Sequence, residues 1–463
     1  MIRVGPDEAW KESVMLKSPS RNLLVGLIGA SCVLSAGAQG YKEEVTPYLT
    51  RVEPQEWLFR TNVVLSANNL APMSDGPLLT DQEFEIEQGT IFFPMPMRSA
   101  SHDRDLRSLK AKLLFEGRPV PLKLNVVSSD SGGNPLHSGE AYGTWTFGPV
   151  EAAMNMVFEV ESVATCWNTE FKDAEAMKVP WPSGEWPKEA ASTFEPELFI
   201  DEGFEGEYDS DYVERLADRW TKGKAKTQPP MVVAKWLAGE VAKSFQPTRP
   251  GIVTDARPAT ANQSAQAVGA VSSLEVVGAE EAARRGKGTA FDMPLLLVAV
   301  YREVGLPARL VFGYVGGSAG GGAEAFRAAD RAEIGPYAWV EVALYDEKQA
   351  DPRRQLTWVP VDINRIRADR VFSRKLDQPW PGFGSSDKLN EIIPIAYHLH
   401  PHRMGANSYG ATTGRNRSAM PSIWGWNIVP STPCGVDQVL TFTATTPSRG
   451  PDDPEPGRRG RGQ

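Results

Sequence analysis

The chain has 463 residues, with 58 acidic side chains against 49 basic ones and a formal net charge of −9. That balance argues against nucleic-acid binding, which calls for a basic patch. Its 41% hydrophobic and 23% charged residues can bury a sizeable core, and 42 Gly with 37 Pro predict many loops but neither a collagen-like nor a wholly disordered chain.

The N-terminus carries a compartment signal. Lys17 and Arg21 precede an apolar run from Leu23 to Ala36, and Ala36-Gly37-Ala38 supplies small residues before Gln39. A basic stub, a short apolar stretch and an A-x-A-like exit predict a secretory signal peptide over 1–38, and hence export to a periplasm, an envelope or the medium. The run is shorter than the ~20 apolar residues a spanning helix needs. A short uncleaved anchor and a lipoprotein signal ending at Cys32 are the competing readings, and Met15 is an alternative start. Cleavage would leave Cys166 and Cys434, which an oxidising compartment permits to pair but which carry no spacing signature; two buried thiols are the alternative.

From 39 to about 168 the sequence reads as β. The runs Glu56–Ser66, Lys110–Val127 and Met154–Val163 alternate with period two between turn residues, which suggests a sandwich-like domain. Over 169–264 a linker with a Pro/Trp-rich loop (179–187) leads into two helical patterns. In the first, over Asp211–Lys222, Tyr212, Leu216 and Trp220 share a face; in the second, over Pro230–Phe245, Val233, Trp236, Leu237, Val241 and Phe245 make the stripe. The acidic loop at 201–211 lacks the oxygen-ligand spacing of a calcium loop and reads as a solvated charge run.

The most informative stretch is Arg284–Val315. Pro294 lies in the first turn of an apolar helix that runs to about Val304, Gly305 and Pro307 stop it, and Ala308–Val315 reads as a strand. Strands over Tyr337–Tyr345 and Leu356–Ile363 follow a Gly-rich loop. The runs 422–430 and 438–446 read as strands closing the domain, and the Arg/Gly/Pro-rich tail 447–463 has almost nothing to bury.

GLPARLVFGY (305–314), AWVEVALY (338–345) and WVPVD (358–362), in that order, resemble the hallmark blocks of the transglutaminase-like core, a branch of the papain-like cysteine enzymes. The resemblance covers roughly 265–395. It implies an α+β fold in which a helix is followed by antiparallel strands, here preceded by the β-rich region and followed by a β extension at 396–446. In that family a Cys opens the helix, a His opens the middle strand, and an Asp or Asn ends the last one. The helix N-terminus and an imidazolium depress the thiol pKa, and the thiolate attacks an amide. Counted from the blocks, the resemblance places the nucleophile position at Ala290 and the base position at Tyr337; Asp362 keeps its identity, and Asp292 matches an acidic position the family often carries. Ala290 has no reactive atom, and a Tyr of ordinary pKa ~10 is a poor base near neutrality. Thr289 becomes the candidate nucleophile if the register slips by one, although no His lies nearby.

His398, His400 and His402 are spaced by two, which on a strand would gather three imidazoles on one face as metal ligands. Pro401 and the apolar neighbours favour a core edge instead, so no metal or other cofactor is expected. The expectation is therefore a transglutaminase-like protein without catalysis, binding a peptide, a glycan or an envelope protein, with Trp181, Trp186 and Trp380 as possible platforms. No nucleic-acid partner is expected, and membrane contact only through an uncleaved leader. The alternative is an amide hydrolase or transferase using a non-standard nucleophile.

Overall fold

The computed structural model describes residues 41–68, 84–128, 140–153, 155–197, 199–201, 211–249, 252–253, 270–271, 273–316, 335–397, 425–429 and 435–447. The leader-like segment 1–38, the acidic loop 202–210, His398, His400, His402, Cys434 and the tail from 448 lie outside these described residues. Among the described residues no helix is long and apolar enough to cross a membrane.

The β-rich region supplies β1 (Leu49–Asn68), β2 (Gln88–Pro96), β3 (His102–Phe115), β4 (Lys123–Ser128), β5 (Glu140–Phe147) and β6 (Asn155–Phe171). Alternation sets the faces: Met156, Phe158, Val160, Ser162, Ala164 and Cys166 of β6 are buried while the intervening side chains are half-exposed. β6 pairs antiparallel with β1 and β3 in one sheet, and β5 with β2 and β4 in another. The ring pairs Trp145–Phe158 (5.2 Å) and Phe115–Phe147 (5.7 Å) connect the two sheets. Cys166 stands opposite His102 as a free, fully buried thiol, and burial pushes its pKa up.

Helices α1 (Tyr212–Thr221) and α2 (Pro230–Ser244) follow. On α1 the buried line is Val213, Ala217 and Thr221, so the stripe Tyr212, Leu216 and Trp220 is rotated to the flank and only half-buried. On α2 the expected Val233, Leu237, Val241 and Phe245 are buried, whereas Trp236 lies at the margin. Lys235, one residue from it, is fully buried, and its ammonium donates to Asp173 and to the Gln378 carbonyl.

Next come α3 (Ala279–Arg285) and α4 (Asp292–Glu303), the latter buried at every position from Asp292 to Arg302. A helix apolar nearly all round has to be covered on all sides. Its one internal charge, Arg302, pairs with Glu197 and Asp201. Then β7 (Ala308–Val315), β8 (Gly335–Tyr345) and β9 (Leu356–Val361) form an antiparallel sheet with β9 and β7 flanking β8. After β9 the chain turns into α5 (Ile363–Ala368), and β10 (Ile392–Ala396) adds to the far edge of β7.

Leu310, Phe312, Ala338, Val340 and Val342, on one face of this sheet, join the hydrophobic cluster that contains α4. The other face meets the β-rich region through a polar seam. Glu341 accepts from the Ala100 amide (2.9 Å) and pairs with Arg309 (2.6 Å), whose guanidinium lies between the rings of Trp358 and Tyr397 at 4.3 and 4.1 Å.

The last strands, β11 (Gly425–Val429) and β12 (Gly435–Thr445), occur where alternation suggested strands but in other sheets. β11 pairs with β2 and β12 with β1, so both complete the β-rich region rather than the sheet of β7–β10. Strand formation is local, whereas the choice of neighbour is a long-range packing outcome that alternation leaves open.

Candidate functional site: the start of α4 and the end of β9

The first turn of α4 is built around reciprocal caps. Thr289 Oγ1 accepts from the amides of Phe291 (3.2 Å) and Asp292 (3.3 Å), and Asp292 Oδ2 accepts from the Thr289 amide (2.7 Å). This is the capping-box arrangement, in which two otherwise orphaned donors are satisfied by each other's side chains. Asp292 Oδ1 takes two more amides, from Val277 (2.8 Å) and Gly278 (3.1 Å). Gly288 makes room, since a Cβ there would stand 2.6 Å from Asp292 Oδ2. Burial pushes the Asp292 pKa up to about 6 against the pull of these hydrogen bonds. Thr289 and Asp292 thus shape the helix start, and the Thr289 oxygen is fully buried in that cap.

Ala290, half-buried, sits between the capping threonine and Phe291. The Phe291 ring packs on Phe312 of β7 (5.8 Å), and Phe312 pairs with Ala338, next to Tyr337, in the β7–β8 register. The helix start is therefore carried toward the beginning of β8.

Tyr337 and Asp362 meet directly: the phenol donates to Asp362 Oδ1 at 2.6 Å. The same oxygen accepts from the Arg365 amide (3.1 Å), making Asp362 the N-cap of α5. Asp362 is nearly fully buried, and burial raises its pKa while the Tyr337 hydrogen bond lowers it. Burial also drives the Tyr337 pKa well above its ordinary value, with the Asp362 charge adding to the rise. The proton stays on the phenol, which serves as a donor and is an even poorer base than a free tyrosine. Of the three positions that the sequence blocks single out, Tyr337 and Asp362 are joined by a hydrogen bond, and Ala290 offers a methyl group.

The tryptophans divide. Trp380 is buried against Gly239 with Lys235 over its ring, so it is core. Trp181 and Trp186 instead line an open cavity of about 380 Å³ with Pro182, Gly184, Phe194, Lys226 and Gly305. Lys226 had no signal in the sequence, because nothing local ties it to the Pro/Trp loop. Among the described residues no group of three or more His, Cys, Asp or Glu is placed to hold a metal.

Residues 256–363 match the family model of the transglutaminase-like superfamily, ending one residue after Asp362. No curated protein matches the chain. One similar solved structure is a candidate cysteine protease from Cytophaga hutchinsonii, at 10% identity and a TM-score of 0.39, covering 85% of this chain and 100% of that one. Another is a candidate protease from Parabacteroides distasonis, at 12% identity and a TM-score of 0.20, covering 61% of this chain and 45% of that one. The family match spans α3, α4 and β7–β9 together with both members of the Tyr337–Asp362 pair: residues 256–363 form a transglutaminase-like core.

Proposed function

We propose that this protein is a non-catalytic transglutaminase-like module, exported from the cell and acting by binding a peptide, a glycan or an envelope protein. The observation that carries the reading is the 2.6 Å hydrogen bond from Tyr337 to Asp362. In an enzyme of this family a carboxylate there would orient an imidazole, which in turn would activate a thiol. Here it receives a phenol whose pKa lies far above neutrality, and the nucleophile position is Ala290. Export is supported by the leader-like run Leu23–Ala36 and its small-residue exit at Ala38.

The test is mass spectrometry of a mixed glutamine- and lysine-containing peptide pool incubated with the purified protein and with Asp362→Ala. Unchanged peptide masses in both samples are expected. Hydrolysed or cross-linked peptides that vanish in the variant would overturn the reading. N-terminal sequencing of the secreted protein checks export, with Gln39 as the expected first residue.

A further inference from the structure

The cavity at Trp181 and Trp186 lies at the other end of α4 from Ala290. Gly305 closes that end, and a helix of 12 residues separates the two places by roughly 18 Å at 1.5 Å per residue. Its walls are held in place. The two indoles meet edge to face at 6.3 Å, and their N–H groups are already spent, Trp181 donating to the Gln228 carbonyl and Trp186 to that of Gly305. Between them, the amide and hydroxyl of Ser183 both donate to Glu347, which fixes the loop. Phe194 is 38% exposed, unusual for so large an apolar side chain.

One cation faces this apolar wall. The Lys226 ammonium sits 3.5 Å from the centre of the Trp181 ring and has no carboxylate partner among the described residues. Gly305 keeps its space open: it has φ +78°, and a Cβ there would come within 2.7 Å of Lys226 Nζ. Partial burial lowers the Lys226 pKa, and no acidic neighbour offsets the effect. A partly desolvated ammonium beside the Trp181 ring, without a counter-ion among the described residues, is complementary to an anion brought by a ligand.

We propose that this cavity is a binding site for a carboxylate carried next to an apolar ring, with the anion on Lys226 and the ring against Trp186 and Phe194. This deepens the binding-module reading and rests on it. A volume of about 380 Å³ suits a single ring-bearing residue. The same chemistry is offered by the C-terminal residue of a peptide and by a free ring-bearing acid.

Calorimetric titration of the full chain with N-acetylphenylalanine, N-acetylphenylalaninamide and the peptide Gly-Gly-Gly-Gly-Phe tests the proposal. Saturable binding of the acid is expected, at least tenfold weaker for the amide and for the protein carrying Lys226→Met or Trp181→Leu. Tighter binding of the pentapeptide than of N-acetylphenylalanine identifies a chain terminus as the source, and equal or weaker binding identifies a free acid. Absence of saturable binding by both acids overturns the proposal, as does binding that the amide or Lys226→Met leaves unchanged. Mass analysis of the recovered pentapeptide keeps the two readings apart, since a shortened or cross-linked peptide speaks against the non-catalytic reading whatever the titration shows.

Discussion

The two ends of α4 differ in how completely their polar groups are used. At the N-terminal end Asp292 accepts three backbone amides, Thr289 returns two bonds, and Tyr337 and Asp362 are paired nearby. At the C-terminal end the Lys226 ammonium faces aromatic rings with no anion among the described residues. The family resemblance points to the first end, yet the groups there are consumed in holding the fold. Unspent polarity lies at the second. The position that the family resemblance singles out and the position with a group to spare are thus different places in this molecule, and stability should respond to them differently.

The largest expected loss comes from Asp292→Ala, which strands the amides of Val277, Gly278 and Thr289 in the interior. At roughly 1–3 kcal/mol per stranded buried group, partly relieved by relaxation, urea unfolding should show a loss of about 3–4 kcal/mol. A loss below about 1 kcal/mol would erase the contrast between the ends.

The pH dependence of the same carboxyl is next. Its folded pKa of about 6 lies above the ordinary value of 3.8, so the folded state keeps the proton longer than the unfolded chain. Stability from this group is therefore fully present below about pH 4 and is lost as pH rises to about 6, by about 3 kcal/mol in all. Asp292→Asn carries no such titration. The difference in unfolding free energy between the two proteins should drift in that window and level off above it.

Tyr337→Phe removes one donor from the buried Asp362 and should cost about 1–2 kcal/mol, with the Asp362 pKa rising further by NMR titration. Lys226→Met should change stability by less than about 0.5 kcal/mol, since an exposed side chain without an ion pair contributes little to the folded state. Should Lys226→Met cost as much as Tyr337→Phe, the lysine would be structural and the two ends alike.

Much of the core was legible from local signals. The apolar run after Asp292, the stop at Gly305-Pro307, the strand-like run 308–315 and the alternation in 337–345 placed α4, β7 and β8 within two or three residues. The family blocks singled out Tyr337 and Asp362, and the structure joins them by a hydrogen bond. The capping box was also present in the sequence, as Thr289-x-x-Asp292, but it competes there with the reading of Thr289 as a nucleophile. Contacts between distant segments were not legible. Lys226 meets Trp181 and Gly305 only through the packing of three separate loops, and a single exposed lysine has no pattern of its own. The face of α1 was displaced by one residue because Tyr212 and Trp220 are large enough to shield the core from its flank while the smaller Val213 and Ala217 fill the contact.

The return of β12 to β1 has a consequence for how the protein comes into being. Val63 pairs with Leu440, so the sheet begun near the start of the chain gains this strand only after the transglutaminase-like core has been made. Until then the edge of β1 presents unpaired backbone groups, the kind of surface on which other chains add strands. A chain halted before Gly435 would hold a finished core beside a sheet with an open edge, and its hazard would be aggregation rather than loss of the core. The last described strand is a clasp: it shuts the molecule around a core lodged between the two halves of its host.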